Sequence, residues 1–398
     1  MSIPGFATVD GSTQFTTTFQ SQYGNHAYNR FGRTGLTVSK IGFGTYRCHQ
    51  EISAHYEALK LALHKGCNVI DTSANYTNGN AEVLIGDVLN EEIVWGDLQR
   101  ENLVIVSKAG YIQGENMEIA LEREHSGDPF PETVKYQDGL WHCIHPEFIE
   151  DQITRSLSRM HLDTLDIYLL HNPEYFLSAA AKKGADSLDE IRSQFYDRIR
   201  RAFVQMERLV KEGLIRWYGI SSNSFPLPEN HPEFVSLGAV WQVYQSACDE
   251  TGITPEAGHF AAIQLPFNWI EHQAATLKNN KFEGEQFTVL ALAKKLDLGV
   301  LINRPLNAIY QNHLLRLARI SGNEQMDALN YRNIQHLEQQ FDKANPQLAS
   351  ELTFSQKSLL VAAQPDGIDV VLNGMRVKDY VEDSMDIMAK KKNTKRIL

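Results

Sequence analysis

The chain has 398 residues, 42% hydrophobic and 22% charged, with 26 glycines and 13 prolines. These proportions exclude a collagen-like, disordered or low-complexity protein. The formal net charge of −11 leaves no general basic field for nucleic acid or an anionic membrane, while small metabolites stay open because the charge of a binding site is local. Cys48, Cys67, Cys143 and Cys248 are too dilute for a disulfide framework and fit a reducing compartment. The first two dozen residues carry neither a basic, apolar leader nor the arginines of a transit peptide. No window approaches the ~18 apolar residues of a membrane span. A soluble, cytoplasmic protein is expected.

Along the chain, residues 1–27 read as an N-terminal arm. Tyr28–Ile41 (YNRFGRTGLTVSKI) follows, with a GRTG turn between two β-prone runs, and predicts a hairpin. Eight short apolar runs come next: Ile41–Thr45, Asn68–Asp71, Leu103–Ser107, Leu165–Leu170, Tyr218–Ser221, Ala261–Leu265, Val300–Asn303 and Ile368–Leu372. Helical patterns lie between them, at Ala54–His64, Ala81–Leu89 and Arg198–Glu212, the last with Phe203, Met206, Leu209 and Val210 at helical spacing. Short apolar strands alternating with helices predict βαβ units and a parallel sheet covered on both faces. Eight such units predict a closed (β/α)8 barrel spanning residues 28–388.

The strands are unevenly spaced. A minimal barrel unit takes about 30–40 residues, so the surplus falls after strands three, four and seven, near residues 111–147, 172–196 and 306–352. Connections that follow barrel strands project from the C-terminal face, where they shape a pocket. No internal repeat is visible, and the Lys-rich end, 389–398, reads as a solvated tail.

Ionisable residues close three successive strands. Asp71 ends the second (NVIDTSANYTNGNAE), with Tyr76 five residues on; Lys108 ends the third (VIVSKAG); His171 ends the fourth (IYLLHNP). Taken singly, each has a structural explanation: a loop cap, a packed ring, a satisfied histidine. Together they would converge over one end of a barrel. There Lys108 would lower the pKa of Tyr76, Asp71 would hold Lys108 charged, and His171 would orient a carbonyl.

These stretches resemble the aldo-keto reductase superfamily. The resemblance runs in order through GRTGLTVSKIGFGTYR, NVIDTSANYTNGNAE, LVIVSKAG, LDTLDIYLLHNP, GLIRWYGISSNSF and AIQLPFN, from about residue 28 to 268, with a weaker match at DVVLNGMR. It implies a barrel that binds NADP(H) or NAD(H) without a Rossmann fold, and a catalytic tetrad of Asp71, Tyr76, Lys108 and His171. Tyr76 would be the general acid in reduction and the base in oxidation. Gly44, Thr45 and Tyr46 match the turn near nicotinamide and substrate. Ser221, Ser222 and Asn223 represent the family's Ser-Asn pair, with one extra serine that leaves the register open, and Gln264 matches the carboxamide-binding glutamine. Tyr46, Tyr111 and Asn172 are the nearest substrate contacts beside Tyr76 and His171.

Two motifs depart from the family pattern. After strand seven the usual stacking aromatic is replaced in INRPLN by Asn303 or Arg304, and an arginine there could pair with pyrophosphate. After strand eight, in VLNGMRVKDYVEDS, alignment puts Met375, Tyr380 and Ser384 where NADP-selective members carry Ser or Thr, Arg and Asn. The arginine for the 2′-phosphate is missing, with Arg376 or Lys378 beside Gly374 as the cations that could substitute. Weakened or reversed preference for NADPH is expected.

His142, Cys143 and His145 resemble a metal cluster, but no second cluster completes a zinc pattern and no metal is expected. Asn75-Tyr76-Thr77 is formally a glycosylation sequon inside the proposed site. The expected activity is carbonyl–alcohol interconversion on an aldehyde, ketone or aldose, without nucleic-acid or membrane partners. The alternative is a nucleotide-sensing or regulatory module of the same fold with little turnover. A hydrolase is disfavoured, since no Ser/His/Asp or paired-carboxylate arrangement stands out.

Overall fold

A computed structural model describes residues 2–184, 187–310, 313–318, 328–346, 348 and 352–390. Its centre is a closed barrel of eight parallel strands: β1 (Ile41–Gly44), β2 (Val69–Asp71), β3 (Val104–Ala109), β4 (Leu165–His171), β5 (Ile215–Ser221), β6 (Phe260–Pro266), β7 (Gly299–Asn303) and β8 (Val370–Asn373). Each strand pairs with its sequence neighbour, and β8 closes onto β1 with Val371 opposite Ile41 and Asn373 opposite Phe43. All eight sequence-predicted strands are present, with ends shifted by a few residues. Among the described residues, no helix is long and apolar enough to cross a membrane.

The period of two along each strand separates two apolar layers. Val69, Val104, Val106, Ile167, Leu169, Ala262, Leu301 and Val370 fill the barrel interior. Ile70, Ile105, Tyr168, Leu170, Ile220 and Ile263 face the surrounding helices. Continuing the inward register toward the strand ends replaces those aliphatics by Asp71, Lys108, His171 and Gln264. The same alternation that builds the core therefore delivers four polar side chains to its top.

The bottom of the barrel is stoppered by residues 2–39, with Ala7, Phe31, Leu36 and Val38 in its inner apolar layer. The expected hairpin forms between Tyr28–Arg30 and Thr37–Ser39, and Phe31 from its turn lies within the inner layer. A Cβ on Gly299 would come within 2.4 Å of the Phe31 ring, so only glycine lets the ring enter. The expected arm is a helix over Val9–Tyr23, capped by the Thr8 side chain. It escaped sequence reading because VDGSTQFTTTFQSQY is rich in poor helix formers; packing of Phe15 and Tyr23 supplies what propensity does not. A buried pair, Arg100 with Asp166 at 2.7 Å, ties this end together, since Asp166 also accepts from the N–H groups of Ala7 and Ile105.

The surplus segments acquire structure of their own. Residues 111–147 form a small antiparallel sheet from Tyr111–Ile112, Val134–Gln137 and Leu140–His142, with a helix over Glu115–His125. Residues 172–196 hold the helix Tyr175–Lys182 and the start of Leu188–Lys211, ten residues earlier than the predicted start at Arg198. Residues 306–352 supply a hairpin, Asn307–Tyr310 with His313–Arg316, and the helix Ala328–Ala344. A further hairpin after β6, Lys278–Phe282 with Glu285–Thr288, has no counterpart in the sequence reading. Of the Lys-rich tail, residues 391–398 lie outside the described residues.

Candidate active site

Register places the chemistry in one layer at the C-terminal end. Gly44 lies opposite Asp71, and Ser221 lies opposite both His171 and Gln264. Lys108 Nζ donates to Asp71 Oδ1 and to the Thr72 carbonyl, each at 2.7 Å, and reaches the Tyr76 hydroxyl at 3.4 Å. Gln264 Nε2 donates to the other carboxylate oxygen of Asp71 at 2.8 Å, and the Ser221 hydroxyl supports Gln264 Oε1 at 3.0 Å. His171 Nδ1 lies 2.9 Å from Ser73 Oγ. The ring centroids of Tyr76 and His171 are 5.9 Å apart, edge to face.

Burial dominates the electrostatics. Asp71 is pushed up and Lys108 down by loss of water, each opposed by the other's charge. Burial, then the Asp71 charge, holds the Tyr76 phenol well above its ordinary range. This reverses the expectation that Lys108 would lower it: Asp71 already occupies the ammonium at 2.7 Å, against 3.4 Å for the phenol. Burial and the nearby Lys108 push His171 well below the usual imidazole range, so it is neutral around pH 7. The site at neutral pH thus holds a protonated phenol and a neutral imidazole.

Above these residues opens a cleft of ≈ 640 Å³. Tyr76, His171, Tyr46, Asn75, Tyr111 and Asn172 line its middle, and Asn172 donates to the Tyr111 hydroxyl at 2.7 Å. Tyr46 is 64% exposed and stands edge-on to Tyr76. Each of the three surplus segments reaches the wall: Gln113 and Leu140 from the first, Tyr175 from the second, Leu314 and Arg316 from the third. The backbone is left-handed at two wall positions, with φ of 51° at Asn172 and 53° at Arg304, and again just beyond Tyr76, at Thr77 (47°) and Asn78 (56°). Non-glycine residues rarely adopt this conformation, and it clusters at functional sites.

The cleft runs from this middle past β7 to the end of β8 and the helix Lys378–Met385. Asn303, Arg304, Gly374, Arg376, Tyr380 and Ser384 line that arm, and Gly44, Thr45 and Asn223 also line the cleft. Two buried polar atoms there, Asn303 Oδ1 and Arg304 Nε, have no hydrogen-bond partner among the described residues. A side chain at Gly374 would meet nothing within 4 Å. Unmet hydrogen-bonding groups along an open trough fit an elongated polar ligand of dinucleotide shape.

Other expected contacts lie elsewhere. Met375 is fully buried in the hydrophobic core, because the inward register of β8 ends at Leu372 and the chain then turns outward. Ser221, Ser222 and Gln264 are buried beneath the cleft rather than on its surface, and the Gln264 amide is committed to Asp71 and Ser221. Of the ambiguous Ser-Ser-Asn run, Asn223 reaches the cleft. Lys378 points away and pairs with Glu57 at 3.5 Å. His142, Cys143 and His145 do not converge: His142 Nε2 donates to the His171 carbonyl at 2.7 Å, Cys143 faces the Pro131 carbonyl, and His145 Nδ1 accepts from the Glu147 N–H. A Cβ on Gly110 would lie 2.6 Å from that His142 nitrogen, so glycine is required there.

Sequence reading missed several site residues. Ser73 is two residues beyond the end of β2 and could have been found in the DTSANY run. Glu271 had no signal: it accepts from Arg304 Nη2 and Asn268 Nδ2, each at 2.9 Å, and from the Ile309 N–H at 3.0 Å. It therefore joins the β6 and β7 connections. Asp383 lines the cleft next to Ser384, its carboxylate receiving the Thr353 hydroxyl at 2.8 Å.

Comparison with known proteins agrees with this architecture. Residues 40–230 are matched by the model of the Aldo/keto reductase family. The NADH-specific methylglyoxal reductase of Escherichia coli is 28% identical over 174 residues, 41% of this chain and 47% of that protein. Bovine aldo-keto reductase family 1 member A1 is 30% identical over 194 residues, 48% of this chain and 47% of that one. The chain thus spans about half the length of the curated relatives it matches. Over the whole fold, an aldo-keto reductase from Bacillus halodurans in its holo form superposes with a TM-score of 0.58 at 19% identity, covering 93% of both chains. An aldo/keto reductase from Klebsiella pneumoniae in complex with NADP and acetate gives 0.53 at 18% identity, covering 92% of both. Residues 40–230 are thus similar to the Aldo/keto reductase family, and the closed eight-stranded barrel shares the fold of these solved structures.

Proposed function

We propose that the protein is a nicotinamide-dependent oxidoreductase that interconverts a small carbonyl compound and its alcohol. One observation carries this reading: a protonated Tyr76 at 3.4 Å from a buried Lys108–Asp71 pair, facing the same cleft as a neutral His171. A bound nicotinamide supplies or accepts the hydride. Tyr76 gives its proton to the carbonyl oxygen in reduction and takes it back in oxidation, acting as general acid and base. Lys108 holds the phenol oxygen in place and offsets the charge that develops on it. Asp71, fixed by Gln264, keeps Lys108 charged and aimed. His171, with Nδ1 held by Ser73, leaves its other nitrogen for the substrate oxygen. Arg304, paired with Glu271 and strained, is the cation for the nucleotide's pyrophosphate.

The reading includes weak preference for NADPH over NADH, or its reversal. Lys378 is turned away, and a carboxylate, Asp383, lines the arm beside Tyr380 and Ser384. The Escherichia coli relative is named as NADH-specific. Substrates are aldehydes, ketones or aldoses, with Tyr46, Tyr111 and Asn172 as contacts.

The test is spectrophotometric. The purified protein with NADH or NADPH and a panel of carbonyls should consume reduced nicotinamide, and Tyr76→Phe should lower turnover by about 10²–10⁴ while still binding nucleotide. Nucleotide binding without turnover on any carbonyl would favour the regulatory reading instead.

A further inference from the structure

The loop after β4 carries a carboxylate that the proposed reaction does not use. Glu174 lies three residues beyond His171 and is 5% exposed. Its Oε1 accepts the backbone N–H of Asn223, in the loop after β5, at 2.9 Å. The nearby Ser222 hydroxyl also favours the ionised form of this carboxylate. Its Oε2 is buried with no hydrogen-bond partner among the described residues. Among the described residues no cation pairs with the group: the charged or titratable side chains that interact with it are Glu233, Tyr175 and Tyr111.

A buried carboxylate without a cation, and with one oxygen unmet, is an unfavourable way to pack a loop. A neutral side chain of the same size would serve packing better. What the carboxylate does supply is a strong acceptor at a point where two strand-end loops meet. A second bond joins the same loops, from the Asn172 N–H to the Ser221 carbonyl at 2.7 Å, and Asn172 adopts left-handed backbone to make it. Between these two ties the Asn223 side chain is delivered to the cleft.

We propose that Glu174 is a positioning residue that holds the Ser222–Asn223 turn against the reaction centre and, through that turn, sets the affinity for the nicotinamide cofactor. The proposal rests on the reading of the cleft as a nicotinamide site. Burial pushes the Glu174 carboxyl up to about 7, so the tie should respond to pH in the neutral range. The sign follows from these neighbours. Ionised Glu174 is the stronger acceptor for the Asn223 N–H and is favoured by the Ser222 hydroxyl, so affinity is greatest on the alkaline side and falls as Glu174 takes up a proton.

The experiment titrates the full chain with NADH and with NADPH by fluorescence between about pH 5.5 and 8.5. Wild type should bind roughly tenfold more weakly at the acid end, the equivalent of one pKa unit of coupling. Glu174→Gln should give a flat profile near the acid-end affinity, with more of the change in cofactor KM than in kcat. Ser222→Ala removes a group that favours the ionised form and should move the step to higher pH, which keeps the test open if Glu174→Gln fails to fold. A flat wild-type profile, or a Gln variant that retains both affinity and step, overturns this proposal alone. Failure of wild type to bind either nucleotide at any pH overturns the cofactor reading with it.

Discussion

The two arms of the site are built on different principles. At the ends of β2, β3 and β4, every polar group of the tetrad floor leans on another: Lys108 on Asp71 and Thr72, Asp71 on Gln264, Gln264 on Ser221, His171 on Ser73. At the ends of β7 and β8 the wall carries unmet groups, Asn303 Oδ1 and Arg304 Nε, a left-handed arginine and a carboxylate held by a threonine hydroxyl. These side chains are held to one another before any ligand arrives, which suits groups that must hold reacting atoms in one geometry. The far arm keeps its hydrogen-bonding capacity in reserve, which suits recognition. Damage to the floor should therefore register in folding and chemistry together, whereas damage to the far arm should register in affinity.

The largest expected effect breaks the floor. Lys108→Met leaves Asp71 buried without its cation, with side-chain exposures of 0% and 6% for the Lys108–Asp71 pair. Removing one partner of such a pair costs about 3–5 kcal/mol. Urea unfolding should show that loss alongside loss of turnover; a variant as stable as wild type would mean the pair does not carry the floor. On the pH axis, the raised Tyr76 phenol should remain the proton donor through the neutral range. The alkaline fall of the reduction rate, read from a kcat profile, then lies above pH 10 rather than near neutrality.

Effects on the far arm should be smaller and confined to binding. Arg304→Ala should weaken both nucleotides by roughly tenfold, about 1.4 kcal/mol, with little change in unfolding free energy. Equal losses of stability and affinity would place Arg304 in the scaffold through Glu271 instead. Smaller still is the nucleotide preference. NADPH should bind less than about a hundredfold more tightly than NADH (~2.7 kcal/mol), and Asp383→Asn should shift the ratio a few-fold toward NADPH by removing a like charge. Fluorescence titration reads both, and an unchanged ratio would remove Asp383 from the discrimination.

The same contrast explains what could be read before folding. The floor was legible because β-strand period and barrel register are local rules: Val69 and Asp71, Val106 and Lys108, Leu169 and His171 are two residues apart on strands that announce themselves by composition. The far arm was only partly legible. Met375 aligned with a binding position yet turned into the core, because where a chain leaves a sheet depends on what packs above it. The register of Ser221, Ser222 and Asn223 stayed open until the strand pairing put Ser221 under the cleft and Asn223 on it.

By itself, the sequence determined the eight strands, their parallel closure and the four polar groups at the strand ends, because each rests on spacing within a few residues. Tertiary structure alone decided the partners of those groups, and with them their protonation. Burial holds Tyr76 protonated and His171 neutral, and solvent exclusion is a property of the assembled barrel rather than of any segment. It also decided Glu174 and Glu271, whose partners Asn223 and Arg304 lie dozens of residues away and meet them only when neighbouring strands bring their loops together.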